Sequence, residues 1–547
     1  MGATREETIK EMKSTGYDVL VIGGGVTGAC IARDAALRGF KCACVDKNDW
    51  AFGTSSRSSK MIHGGIRYLE MFDFKLVFEA CCERRQLLLN APHLVYPQPF
   101  TFPIYKGDKN GIFMIESGLI LYDMLALFRN VQNHKMYMHD KAMELEDSLD
   151  SERIKAAGVF YDCSTDDARL TLAFALTAID DGADCANYVE VVELLRDGGR
   201  LAGAHVRDVL TSEEFDIEAR VVVNAAGAWG DEVCELDEKD APKKLQLTKG
   251  SHIMVPRGRA STRNALPIVS PTDKRLMFVI PRGHFALIGT TDTYYHEDLD
   301  NPFATREDVE YILEAANDIL PRAHLDKADI ISTYAGLRPL AMQEGGEDVA
   351  TGKVSREHRI YQGRSGMLTI AGGKLTTARS MAEEMMDLVQ MKLLKEFKVR
   401  AKRGCVTKNR PILHVPAPDT EARVRALSAK LKFDDDILFG LFKQGTEALS
   451  VLALCDEDPS LAEPLGPTIP NIKAQVRFAA ESEMARTVDD FLVRRTEIYY
   501  IAPDQGLGVA PEVARIMGDL LGWDADEGKR QVEAYKRTVE LSRRYAT

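Results

Sequence analysis

The sequence predicts an α/β protein built on a Rossmann-like dinucleotide-binding sheet, and three observations carry that reading. An apolar run from Val19 to Ile22 breaks into Gly23-Gly24-Gly25-Val26-Thr27-Gly28 and passes at once into a helix-forming stretch, Ala29 to Arg38. A second apolar run, beginning at Phe40, ends in Asp46, eighteen residues past Gly28. Two further strand-to-small-residue turns lie far along the chain, at Asn224-Ala225-Ala226-Gly227-Ala228-Trp229 and at Ala371-Gly372-Gly373-Lys374.

Strand, glycine turn and helix in that order give a G-x-G-x-x-G motif its meaning. Gly23 permits the tight turn and Gly25 lets the backbone approach a pyrophosphate. Gly28 lets the helix pack on its strand, so that its N-terminus faces the phosphates. Asp46 stands where a carboxylate accepts hydrogen bonds from the adenosine ribose hydroxyls. Thr54-Ser55-Ser56-Arg57-Ser58-Ser59-Lys60 is dense in hydroxyls and leads into Met61-Ile62-His63-Gly64-Gly65-Ile66-Arg67-Tyr68-Leu69. Hydroxyls such as those of Thr54, Ser56, Ser58 and Ser59 suit phosphates and ring polar atoms, and the glycine pair lets backbone lie against a flat ring. A flexible serine linker is the plainer alternative, and the apolar and aromatic residues that follow argue against it.

The third contact comes from the later turns. The strand from Ala219 to Val223 leads to Gly227 and Trp229, and the run from Met367 leads to Gly373, Lys374, Leu375 and Thr376. A helix N-terminus at the second of these stabilises negative charge on a reduced flavin. A nicotinamide held by one Rossmann unit does not need three separated contacts. A tricyclic cofactor in an extended pose does, which selects FAD.

Bulk properties bound the rest. A chain of 547 residues is too long for one core, and 45% hydrophobic and 28% charged residues are ordinary for a globular enzyme. The net charge of −13 argues against nucleic acid as a partner while leaving room for a local basic pocket. The ten cysteines show no C-x-x-C and no metal-ligand spacing, so no structural metal is expected and the compartment reads as reducing. Residues 1–16 lack the apolar core of a signal peptide, and no stretch has the length of a membrane span. Residues 111–128 come nearest, and read as an amphipathic helix that either lies on a membrane surface or packs on its own domain.

These motifs together resemble the FAD-dependent glycerol-3-phosphate dehydrogenases, within the glycine-oxidase-like flavoproteins. The resemblance covers Tyr17 to Arg379 and the C-terminal run Asp489-Asp490-Phe491-Leu492-Val493-Arg494-Arg495-Thr496. Further motifs that carry it are Lys249-Gly250-Ser251-His252-Ile253, Ile288-Gly289-Thr290-Thr291-Asp292 and Gly336-Leu337-Arg338-Pro339-Leu340. It implies FAD as cofactor and oxidation of sn-glycerol 3-phosphate to dihydroxyacetone phosphate. It puts Arg67, Tyr68, His252, Arg338, Arg356 and Lys374 on the substrate, where Arg supplies planar donors for phosphate oxygens. Removal of the C2 hydroxyl proton favours a histidine, which selects His252 as the base and leaves His63 as a flavin neighbour. An arginine acting on the forming alkoxide is the rival, which makes Arg338 the second catalytic candidate.

The implied organisation is a discontinuous FAD-dependent oxidoreductase region over residues 17–396, with an inserted antiparallel substrate domain. Residues 275–280 and 284–289 read as its hairpin strands. Residues 397–420 read as a linker, and residues 421–547 as a C-terminal helical domain. Asp524-Ala525-Asp526-Glu527-Gly528 has its glycine misplaced for a calcium loop, so the calcium regulation of animal mitochondrial members is not expected. Members pass electrons to membrane quinone or to oxygen. The oxygen-using members carry an extra insertion, and its absence here favours quinone. Peripheral attachment to the cytoplasmic membrane follows, or to the mitochondrial inner membrane in a eukaryote, with a homodimer left open. The alternatives are an oxidase releasing hydrogen peroxide and, more remotely, a non-catalytic flavin-binding protein.

Overall fold

The computed structural model describes residues 4–342 and 357–546. The Tyr17–Ile22 strand is buried along its whole length at the centre of an eight-stranded sheet. Cys42–Val45 pairs with it in parallel on one side and Glu214–Asn224 on the other, so that Val19 lies between Cys42 and Val221. Leu368–Ala371 continues the parallel set beyond Glu214–Asn224. Parallel strands put their carboxyl ends on one edge of a sheet. The turns after Ile22, Val45, Asn224 and Ala371 therefore open together, although 349 residues separate the first from the last.

The first helix spans Val26–Arg38 and starts ahead of the expected Ala29, because Gly25 takes the N-cap position in an extended conformation. It packs against the Asp167–Asp180 and Ala378–Lys392 helices. Ala29, Ala32, Ala35, Ala175 and Ala178 are all buried in that layer, and such small side chains allow the helices to approach closely. The other face of the parallel strands is covered by the Arg5–Met12 helix and by the last two strands of the eight, Val189–Asp197 and Arg200–Asp208, which join antiparallel through Glu214–Asn224.

The expected hairpin appears as Leu276–Arg282 paired with Phe285–Gly289. Its sheet is antiparallel and centred on Leu245–Pro256, which pairs with Phe285–Gly289 on one side and Ser332–Ala341 on the other. A smaller antiparallel sheet of Val95–Tyr105 and Ile154–Thr165 completes the substrate side, with Met61–Ile62 on its edge. Residues 397–420 run back along the nucleotide-binding region. There Lys402 N donates to Arg38 O (2.8 Å), Ile412 N donates to Asn90 O (3.0 Å), and Arg33 reaches the Arg410 and Pro411 carbonyls.

Of the helices that follow, Thr420–Lys430 to Ala448–Glu457 pack around a core of their own that includes Val424, Leu441 and Val451. Those from Lys473–Ser482 to Ala525–Arg543 instead share an apolar core with the substrate sheets, in which Phe491 and Tyr500 meet Phe100 and Tyr334. Arg494 and Arg495 both pair with the buried Asp49, at 2.7 and 2.6 Å. Asp49 lies three residues past Asp46, so this ion cluster ties the C-terminal helices to the loop leaving the second strand. Among the described residues no helix is long and apolar enough to cross a membrane.

Candidate functional site: one cavity between the two sheets

A cavity of about 520 Å³ runs from the glycine turn to the antiparallel sheet. At its first end lie Gly23, Gly25 and Asp46. Gly23 has φ of 113°, and a side chain at Gly28 would collide with the Gly23 carbonyl, so the motif needs glycine at both positions. Gly28 itself lies inside the helix and is absent from the cavity wall. The glycine N-cap brings no side chain to the first helical amides; instead Ser55 Oγ accepts from Val26 N at 3.0 Å. Asp46 accepts from Gly24 N (2.6 Å) and Asn48 N (2.8 Å), and burial pushes its carboxyl up to about 6. Gly227 and Trp229 form the adjoining wall, where the buried Trp229 Nε1 has no hydrogen-bond partner among the described residues.

The hydroxyl segment follows the same wall, with one departure from expectation. Thr54, Ser58 and Ser59 line the cavity. Ser56 does not: its hydroxyl turns inward to the Phe52 and Gly53 carbonyls, at 3.5 and 3.4 Å, because the Thr54–Ser56 turn directs every third side chain into the protein. Ser55 takes the cavity position instead. Thr54 Oγ1 donates to Leu337 O (2.5 Å), and Ser58 donates to Asp167 through both N (2.9 Å) and Oγ (2.7 Å).

His63, Gly373, Lys374, Leu375 and Thr376 come together at the middle of the cavity. Thr376 Oγ1 accepts from His63 N (3.2 Å), which joins the two glycine turns. Gly373 has φ of 94°, with Met381 filling the space a side chain would take. Lys374 Nζ stands 3.8 Å above the centroid of the Tyr68 ring, and Arg67 lines the wall beside them.

At the far end His252 and Arg338 face Phe100, Phe160 and Phe278. Arg338 donates from Nη1 to Asp292 Oδ1 (3.1 Å) and from Nη2 to Thr290 Oγ1 (2.9 Å) and Thr291 O (3.1 Å). Asp292 also pairs with Arg275 at 2.6 Å, so one carboxylate aims two guanidinium groups. His252 is only 2% exposed. Its Nε2 lies 2.9 Å from Ser59 Oγ, its ring stacks on Tyr334 at 4.7 Å, and its buried Nδ1 has no partner among the described residues. Burial, with Arg338 and Lys60 nearby, holds its pKa well below the ordinary histidine value, so the ring is neutral near pH 7. Arg356 lies outside the described residues.

Sequence reasoning did not single out Ser55, Arg57, Asp292, Arg275 or the phenylalanine wall. The pairing of Asp292 with Arg275 and Arg338 is set by strand register and had no local signal; the aromatic wall was visible only as strand alternation.

An extended cavity with glycine turns at a helix start, a ribose-type acid beside it and a second glycine turn against its middle fits FAD. The class so defined is a flavoprotein oxidoreductase. A family model described as FAD dependent oxidoreductase matches residues 18–379, and one described as the C-terminal domain of alpha-glycerophosphate oxidase matches residues 405–528. A glycerol-3-phosphate dehydrogenase from Synechocystis is 36% identical, over 97% of each chain. The structure of a Bacillus halodurans glycerol-3-phosphate dehydrogenase complexed with FAD is 32% identical, with a TM-score of 0.82 over 98% of this chain and 97% of that one. Glycine oxidase from Geobacillus kaustophilus shares the fold, with a TM-score of 0.54 at 19% identity, covering 74% of this chain and 100% of that one. The chain belongs to the FAD-dependent glycerol-3-phosphate dehydrogenases.

Proposed function

We propose that this protein oxidises sn-glycerol 3-phosphate to dihydroxyacetone phosphate and delivers the electrons to membrane quinone. The observation that carries the reading is the paired guanidinium lobe of Arg338 and Arg275 on Asp292, opening into the same cavity as the glycine turns. Bound FAD supplies the acceptor for the hydride that leaves C2. Gly23, Gly25, Asp46, Thr54, Ser58, Ser59, His63, Gly227, Trp229, Gly373, Leu375 and Thr376 are the residues that would hold it.

Arg338, Arg67 and Lys374 bind the phosphate, and Arg356 is assigned with them from the family resemblance. Fixed cations of this kind match a dianionic phosphoryl group and orient C2. Ser59 Oγ takes the C2 hydroxyl proton while passing its own to His252 Nε2, which lies 2.9 Å away on the same cavity wall. A neutral His252 is ready to accept that proton. Arg338 stabilises the developing alkoxide.

The quinone and membrane parts rest on a surface. The Ile112–Leu125 helix exposes Phe113 (83%), Met114, Ile120 and Met124, and the neighbouring turn exposes Phe72 (77%). That turn follows Ile66–Leu69, which carries Arg67 and Tyr68 into the cavity. An apolar face of this size marks a contact surface. Here it suits insertion into a lipid interface beside the mouth of the site.

The oxidase alternative is kept because the C-terminal family model carries an oxidase description. Anaerobic addition of glycerol 3-phosphate should bleach the flavin, and a quinone analogue should restore its colour faster than air. Failure to bleach overturns the substrate; fast reoxidation by air with stoichiometric peroxide makes the protein an oxidase.

A further inference from the structure

Arg57 directly follows the Thr54–Ser56 turn, its amide donating to the Thr54 carbonyl at 3.2 Å. Its guanidinium lines the cavity and lies over the Phe52 ring, 5.0 Å from the centroid. Three other cations of this wall have carboxylates: Arg275 and Arg338 share Asp292, and Lys47 pairs with Asp300 at 3.3 Å. Among the described residues Arg57 has no carboxylate or carbonyl acceptor. The charge of Asp489 reaches it, but that carboxylate is engaged by Arg494 at 2.8 Å. Arg494 also sits over the Phe52 ring, at 5.6 Å, which adds like-charge repulsion.

A guanidinium cannot escape this by losing its proton. The side chain is half-buried against the cavity wall, and desolvation there lowers its pKa without neutralising it. The side chain therefore calls for an anion in the cavity. Its position is intermediate between the two places that take phosphate. Two residues before it, Ser55 Oγ sits on Val26 N at the start of the first helix. On the other side its backbone packs against Gly336, two residues from Arg338, so closely that any side chain at Gly336 would collide with the Arg57 carbonyl.

We propose that Arg57 binds a phosphate group, supplied either by the pyrophosphate of the cofactor or by the monoester phosphate of the substrate. Only the second source rests on the function proposed above. Stacking on Phe52 alone is the competing account.

The test uses full-length holoenzyme carrying Arg57→Met or Arg57→Lys. FAD release on dilution is followed by flavin fluorescence, and the apparent glycerol 3-phosphate affinity by anaerobic bleaching. Loss of one charge-assisted contact should weaken one of the two constants in Arg57→Met by about ten- to a hundredfold. Weaker FAD retention identifies the cofactor; weaker substrate affinity with FAD retained identifies the substrate. Arg57→Lys, which keeps the charge, should recover part of the loss. Unchanged constants in Arg57→Met overturn the proposal. Equal losses in both variants, together with a lower melting temperature, also overturn it and assign Arg57 to packing on Phe52. If wild-type flavin is not bleached by glycerol 3-phosphate, the proposed substrate fails while the FAD measurement still decides Arg57.

Discussion

The two ends of the cavity are built by different means. The cofactor end is made of backbone: a glycine turn at residues 23–28, a second at residues 372–373, and one acid, Asp46, that itself takes two backbone amides. The other end, where we propose that the substrate binds, is made of side chains drawn from separate strands. His252 comes from Leu245–Pro256, Arg338 from Ser332–Ala341 and Arg275 from beside Leu276–Arg282, and Asp292 and Ser59 hold them in place. A backbone site tolerates most substitutions that keep its glycines. A site of interlocked charges fails when one partner is removed, because the other is left buried and unpaired. Substitutions at the substrate end should therefore cost more than those at the cofactor end.

The largest loss is expected at His252. His252→Asn keeps a polar group of similar reach and removes the base, and a positioned base is worth about 10²–10⁴ in rate. Stopped-flow flavin reduction should slow by that range while FAD remains bound. Ser59→Ala should reproduce most of the loss; full activity in Ser59→Ala would show that the proton does not travel through Ser59. Because the folded His252 has its pKa lowered, it stays neutral as pH falls through the ordinary histidine range. The acid limb of the reduction rate should then lie below pH ~6.5. The same shift makes folding stability present above the unfolded pKa and lost as pH falls below it.

Arg338→Met comes next. It keeps much of the side-chain volume and removes the donors, which should cost about 1.5–3 kcal/mol, or roughly ten- to a hundredfold in kcat/KM. Glycerol, which lacks the phosphate, should be a very poor substrate of the wild type. Equal rates on glycerol and glycerol 3-phosphate would show that the cationic end binds something else.

The same contrast explains what the sequence reveals. Gly23, Gly25 and Asp46 are legible because they follow one another within one strand–turn–helix–strand unit, where spacing fixes geometry. Gly373 to Thr376 are legible as a strand-to-helix turn, and the parallel sheet brings them to His63 from 313 residues away. Ser56 shows the limit: in a short 3₁₀ turn the run of hydroxyls does not reveal which one faces inward, and Ser55 proved to be the cavity neighbour. Arg338 is legible as a residue type in a glycine-flanked strand. Its pairing with Asp292, and the sharing of Asp292 by Arg275, are set by strand register, which no local pattern encodes. The proposal of His252 as base rests on histidine chemistry, whereas its burial and its contact with Ser59 are properties of the packed sheet.

At the cofactor end, Asp46→Ala should weaken FAD retention by about tenfold, since ribose hydroxyls lose an acceptor while the glycine turn persists. Purified protein should be yellow and should not bind NADH. Burial raises the Asp46 carboxyl to about 6, so the carboxylate is lost as pH falls through that value and FAD association should weaken over the same window. The sign is opposite to that of a paired acid: a raised carboxyl disfavours the fold above its unfolded pKa, and the penalty is relieved as pH falls. Retention that is flat from pH 8 to 5 in the wild type would remove Asp46 from the ribose.

The smallest effect on the cavity itself is expected from its surroundings, at the apolar face of the Ile112–Leu125 helix. Phe113 and Ile120 are exposed, at 83% and 44%, while Tyr122 and Asp123 on the same helix are buried. Tyr122 Oη donates to Asp162 Oδ1 (2.8 Å), and Asp162, which lines the cavity, in turn accepts from Gly64 N (3.0 Å). Asp123 accepts from Asn130 Nδ2 (2.6 Å) and from His134 N (3.0 Å). The helix is thus anchored through its inner side, and its outer side is free to meet lipid. Phe113→Asp combined with Ile120→Asp should leave flavin reduction by glycerol 3-phosphate unchanged, because none of the anchoring bonds is touched. Two charges on the docking face oppose insertion into the interface, so liposome cosedimentation and turnover with a membrane quinone should both fall. Turnover with a water-soluble acceptor should hold. Unchanged liposome binding would remove this face from the membrane contact, and loss of flavin reduction would show instead that the outer side packs against something the fold requires.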